Sequence, residues 1–114
     1  PVPGIPPLLL EGQTEKILAG FNAELRAQFQ LLDARMRFSA EVENLNLGVG
    51  TILSVCSNGM ALGALTVDVN HMGELNLDSQ AGAAVPLMNS GATIEIRQGS
   101  CSDMSAALLA VTLH

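Results

Sequence analysis

The chain has no tryptophan and no tyrosine, and only three phenylalanines in 114 residues. A face that recognises sugars by stacking wants exposed aromatic rings, so that mode of binding is poorly supplied. Positive charge is also scarce. Five Lys and Arg stand against eleven Asp and Glu, for a net charge of −6. Arg35 and Arg37 lie close together, but no basic cluster follows. Without a positive field, nucleic acid and anionic membrane surfaces are disfavoured as partners. No stretch approaches the ~18 apolar residues of a membrane-spanning helix. The longest apolar run, Ala106 to Val111, suits a strand or a short buried segment. No Asn-x-Ser/Thr sequon occurs.

What is present points to a folded body. Apolar residues make up 48% and charged residues 14%, far from the composition of disorder. The length fits one domain able to bury a core without metal or dense disulfides. The interior must be built from Leu, Val, Ile, Ala and Met. The sequence starts at Pro1 rather than Met, and a removed leader and a trimmed chain are both compatible with that.

Four of the five prolines fall in "PVPGIPPLLLEG", which is therefore not a helix interior and should run extended. The same segment carries Val2, Ile5, Leu8, Leu9 and Leu10, too many aliphatic side chains for a solvated linker. It reads as an apolar arm over residues 1–12, docked on its own body or on a neighbour's, before a single domain over 13–114.

"ELRAQFQLLDARMRFSAEVENL" admits two foldings. Leu18, Phe21, Leu25, Phe29, Leu32 and Met36 recur at helical spacing, with Thr14 and Glu15 at a plausible start. Equally, Ala23, Leu25, Ala27, Phe29 and Leu31 alternate with polar residues, and so do Met36, Phe38, Ala40 and Val42. A hairpin about Asp33 needs alternation on both arms, and both have it, so the hairpin is the expectation. Against it stand a turn without glycine and good helix formers.

Further on, Asn58-Gly59 is a strong two-residue hairpin signal, between strands expected over Thr51–Ser57 and Ala61–Val69. The second of these places Leu65, Val67 and Val69 on one face. "NHMG" turns the chain, and "ELNLDS", "AVPLM", "ATIEIRQG" and "LLAVTLH" supply further short strands. Short strands with frequent turns and one wet face each predict an all-β fold, an antiparallel β-sandwich of seven to eight strands. The alternative is α+β, with one helix over about residues 14–35 on an antiparallel sheet.

From "RMRFSAEVENL" through "VCSNGMALGALTVDV" and "GELNLDS" to "GATIEIRQG", the strand-and-turn pattern resembles small secreted bacterial β domains. It is loosely similar to chordin-like (CHRD) domains. The match spans roughly Arg35 to Gly99, and the histidine motif of those domains has no counterpart here. The resemblance implies a secreted, extracellular or cell-surface β-sandwich without catalytic function.

Candidate chemistry is thin. The only imidazoles are His71, in a turn, and His114, and neither sits in a nucleophile context. Cys56 and Cys101 are able to form one disulfide or to remain two buried thiols, and their spacing does not choose. "DVNHMGE" is faintly like a calcium loop through Asp68, Asn70, Gly73 and Glu74. It lacks the third oxygen ligand, where Met72 stands, and the distal bidentate Glu. A plain β-turn explains it better. Glu41 with Glu43, and Glu74 with Asn76 and Asp78, occupy the wet positions of alternating strands. Catalytic, metal and cofactor sites are therefore not expected. The expected partners are copies of the chain itself, as a homo-oligomer or filament joined through the arm by strand complementation. The rival expectation is a monomeric adhesion or binding module using the loops "LNLGVG" and "SQAGAAVPLMNSG".

Overall fold

The computed structural model describes residues 7–18, 20–102 and 107–114. It is all-β: two antiparallel four-stranded sheets packed face to face, with one 3-10 turn and no α-helix among the described residues. The strands are β1 (Leu8–Leu18), β2 (Phe21–Leu32), β3 (Arg35–Glu43), β4 (Ile52–Ser57), β5 (Met60–Thr66), β6 (Gly73–Asp78), β7 (Thr93–Arg97) and β8 (Leu109–Thr112). One sheet runs β1-β2-β3-β6 and the other β5-β4-β7-β8.

The ambiguous stretch is a β-hairpin. Leu32 pairs with Arg35, so the loop is Asp33-Ala34 alone. Both turn residues have positive φ, 49° and 67°, as a type I′ turn requires. The same φ signs recur at Asn58-Gly59, where glycine takes the second position. Helix propensity loses because a period of two puts Ala23, Leu25, Ala27 and Phe29 on one face, opposite Val42, Ala40 and Phe38 of β3. All of these residues are buried, and Phe29 lies directly across from Phe38. A helix would have turned part of that apolar set to water.

The core lies between the sheets. Leu53, Val55, Leu65, Ile94, Ile96, Leu109 and Val111 face the β2–β3 set from the opposite layer. Leu75 and Leu77 pack on its margin. Cys56 and Cys101 form a disulfide, with Cα atoms 5.6 Å apart, that ties the β7–β8 connection to β4.

Some expectations move. Leu8 to Gly12, assigned to the arm, form the first half of β1 and pair with β2, so the boundary at residue 12 falls inside a strand. "AVPLM" is not a strand. Val85 and Met88 bury their side chains from an irregular loop. Val69 does not share a face with Leu65 and Val67. β5 ends at Thr66, and Val69 is 74% exposed in the following turn.

Candidate functional site

A sandwich has two lateral seams, where an edge strand of one sheet meets an edge strand of the other. In this chain they differ. At the β1–β8 seam, Glu11 N–H donates to the His114 carbonyl and His114 N–H to the Glu11 carbonyl, both at 3.1 Å. This reciprocal pair is an antiparallel bridge between the two sheets. It requires close approach, which Gly12 permits: a Cβ there would lie 2.6 Å from the Thr112 carbonyl oxygen. Leu10, only 3% exposed, anchors the same stretch in the core. Of the arm residues, Leu8, Leu9 and Leu10 thus belong to the chain's own sandwich, while Val2 and Ile5 lie outside the described residues.

The β5–β6 seam is packed but not bonded. Leu65 and Leu75 fill it against Gly73 and Gly63. No β5–β6 strand pairing occurs among the described residues. Among the described residues, the outer edges of β5 and β6 therefore present backbone N–H and C=O groups without ladder partners. β6 carries Glu74 and Asp78, whereas β5, "MALGALT", carries no charge and no proline. That missing guard was visible in the sequence. That β5 stands at an edge was not.

The outer face of the β1-β2-β3-β6 sheet is the second feature. Its registers align Glu11, Gln28, Ser39 and Asn76 in one row, and Gln13, Arg26, Glu41 and Glu74 in the next. The short Ser39 among longer neighbours leaves an open concavity of about 570 Å³, lined by these same residues. Asn76 donates to the Glu74 carboxylate, and Gln13 Nε2 to Glu24 Oε1 at 2.8 Å. Glu15, Glu24 and Glu43 continue as a row of three carboxylates. Sequence reading placed the acids on a wet face. It did not find the depression, because cross-strand rows depend on register.

Where β3 begins and β6 ends, Arg35 grips Asp78 with two guanidinium nitrogens, Nε at 3.1 Å from Oδ1 and Nη2 on Oδ2. This fork is the main reason the Asp78 carboxyl is lowered to about 2, helped by the Gln80 amide. The same bond raises the Arg35 guanidinium. Asp78 also caps the 3-10 turn at Ser79–Ala81.

The sequence's chemical candidates do not converge. His71 is exposed at positive φ, with its ring 6.1 Å from that of Phe21. His114 contributes its backbone to the closed seam. Both cysteines are consumed in the disulfide. In "DVNHMGE", Asp68 Oδ1 accepts from Asn70 N–H at 2.8 Å and Met72 N–H at 3.1 Å, so its carboxylate closes the turn. No group of three or more His, Cys, Asp and Glu is placed to hold a metal among the described residues. Of the two loops singled out, "LNLGVG" buries Leu45 and exposes Val49, and "SQAGAAVPLMNSG" buries Val85 and Met88 and exposes Leu87. No helix of the described residues is long and apolar enough to cross a membrane. No protein-family model, no curated protein and no solved structure matches the chain.

Proposed function

We propose that this chain is a non-catalytic structural subunit, secreted or displayed at the cell surface, that assembles with copies of itself through the residues preceding β1. The observation that carries this reading is the difference between the seams: β1–β8 is closed by reciprocal backbone bonds, and β5–β6 leaves strand edges unpaired among the described residues. An unpaired edge is a template for an extended segment. Pro1 to Pro6, uncharged and bearing Val2 and Ile5, supply such a segment. β1 lies on one lateral side of the sandwich and the unpaired edges on the other. A donor and an acceptor on opposite sides make a head-to-tail contact, which extends into a filament rather than closing into a dimer. A disulfide suits an oxidising compartment, and the likeness to chordin-like domains points the same way.

The test is deletion of Pro1 to Pro6. This cut spares Leu10, whose loss would open the core. Light scattering and negative-stain microscopy should find filaments or large particles for the full chain and monomers for the deletion. Monomers in both would refute the reading. That outcome would favour a monomeric extracellular binding module instead, a reading supported by the polar concavity around Ser39.

A further inference from the structure

We infer that the acceptor for the N-terminal segment is the free edge of β5 in a second copy, and that the segment binds it through one edge only, by way of Val2 and Gly4. This rests on the self-assembly reading and adds where the contact forms.

The edges of the sandwich are not equivalent. The β8 edge is covered, because β1 approaches it at Gly12 and is bonded at Glu11 to His114, just past its end. β1 itself carries Glu11, Glu15 and Lys16. The β6 edge carries Glu74 and Asp78. Charge along an edge is the usual guard against strand addition, and β5 has none. The side chains of the N-terminal segment are uncharged as well. Placing it on β5 strands no carboxylate in a dry contact, whereas β6 would.

Backbone direction identifies the bonding residues. Val67 N–H donates to the Thr51 carbonyl at 2.9 Å, and its carbonyl accepts from Gly50 N–H at 2.8 Å, so both groups face β4. Alternation then turns Leu65 and Gly63 toward β4, and Ala64 and Thr66 away from it. The irregularity in β4–β5 pairing lies opposite Val55 and Cys56, beyond Gly63, so Gly63 to Thr66 remains regular. The Thr66 carbonyl lies on the β6 side, near Gly73. Ala64, exposed and small, is therefore the centre of the free edge.

The donor has a matching asymmetry. Successive residues of an extended segment direct their N–H groups to opposite sides. Pro1, Pro3 and Pro7 fall on one side with Ile5, while Val2 and Gly4 fall on the other with Pro6. The first side is largely stripped of donors, and the second keeps Val2 and Gly4. Such a segment docks by its even-numbered side. Its proline side then faces outward, so no further strand adds laterally.

The experiment compares variants of the full chain by light scattering across a concentration series. Ala64→Pro removes the outward N–H and leaves the β4-facing bonds. It follows Gly63, which tolerates the restriction a proline places on the preceding residue. The concentration needed for assembly should rise about tenfold or more, the equivalent of one lost hydrogen bond. Val2→Pro should do the same, whereas Ala64→Val and Pro3→Ala should assemble as the parent does. An excess of synthetic Pro1–Pro7 peptide should dissolve preformed assemblies. If Ala64→Pro fails to show a cooperative thermal transition, Ala64→Lys replaces it, since one edge charge should also block addition. The β5 assignment is overturned if a folded Ala64 variant assembles like the parent while deletion of Pro1 to Pro6 abolishes assembly. In that case the self-assembly reading survives. If the full chain is monomeric at every concentration, both are overturned.

Discussion

Two hairpin loops, Asp33-Ala34 and Asn58-Gly59, make the same two-residue turn, and only one has the residue that turn prefers. At Asn58-Gly59 the second position, φ 81°, is glycine, and at Asp33-Ala34 the second position, φ 67°, is alanine. An L-residue in the left-handed region pays roughly 1–2 kcal/mol, because its Cβ crowds the following carbonyl. Ala34 is exposed, so replacing it with glycine removes that strain without opening a cavity. Against the gain stands the larger entropy of a glycine in the unfolded chain, about 0.4–1 kcal/mol. Ala34→Gly should therefore stabilise the protein by about 0.5–1 kcal/mol, a rise in Tm of about 2–5 °C for a domain of this size. The mirror change, Gly59→Ala, should cost a similar amount. With no Trp and no Tyr, intrinsic fluorescence is a poor probe, so the assay is urea unfolding followed by far-UV circular dichroism. An unchanged m-value would place the effect in stability rather than in the compactness of either state. If Ala34→Gly is neutral or destabilising while Gly59→Ala is costly, strain at Ala34 is absent and the turn reasoning fails.

Reducing the Cys56–Cys101 disulfide, or replacing both residues with serine, should lower unfolding stability by about 4 kcal/mol in the chain-entropy treatment. The sequence separation that sets this figure is 45, and calorimetry with and without reductant measures the loss. Gly12→Ala forces a methyl into the Thr112 carbonyl and should cost about 1–3 kcal/mol. Hydrogen exchange would see it as lost protection at Glu11 and His114, and unchanged protection there would refute the closed seam. The Asp78 carboxyl, held at about 2 by Arg35, is lowered from an ordinary value of 3.8. A depressed folded value stabilises above the unfolded value and loses that contribution as pH falls toward the folded one. Stability should therefore fall between about pH 4 and pH 2, and Arg35→Ala should flatten that part of an acid titration of Tm.

The residues that made the fold legible are those whose side chains repeat with period two. Ala23 to Phe29 and Phe38 to Val42 declare two strands, and their pairing follows once the loop is known to be two residues long. Leu109, Val111 and Leu113 do the same at the far end and are all buried. β1 was harder to see. Its first half looked like a free arm because the prolines before it dominate the local composition, and its second half alternates less cleanly through Lys16 and Ile17. Val85 and Met88 imitated a strand because burial in an irregular loop also selects apolar residues. The concavity at Ser39 left no local mark, since its lining residues come from four strands brought together by register.

The amino-acid pattern by itself determined that this is an all-β chain with one wet face per strand, and it placed turns at Asn58-Gly59 and about Asp33. Those properties are local: side-chain alternation and the φ demands of a short loop act over a few residues. Only the tertiary structure decided which strands stand at edges, that β1 closes against the chain end at Glu11 and His114, and that the outer edge of β5 has no strand partner among the described residues. It also decided that Cys56 and Cys101 meet. These depend on how two sheets stack and on where distant segments arrive, and no short stretch encodes that.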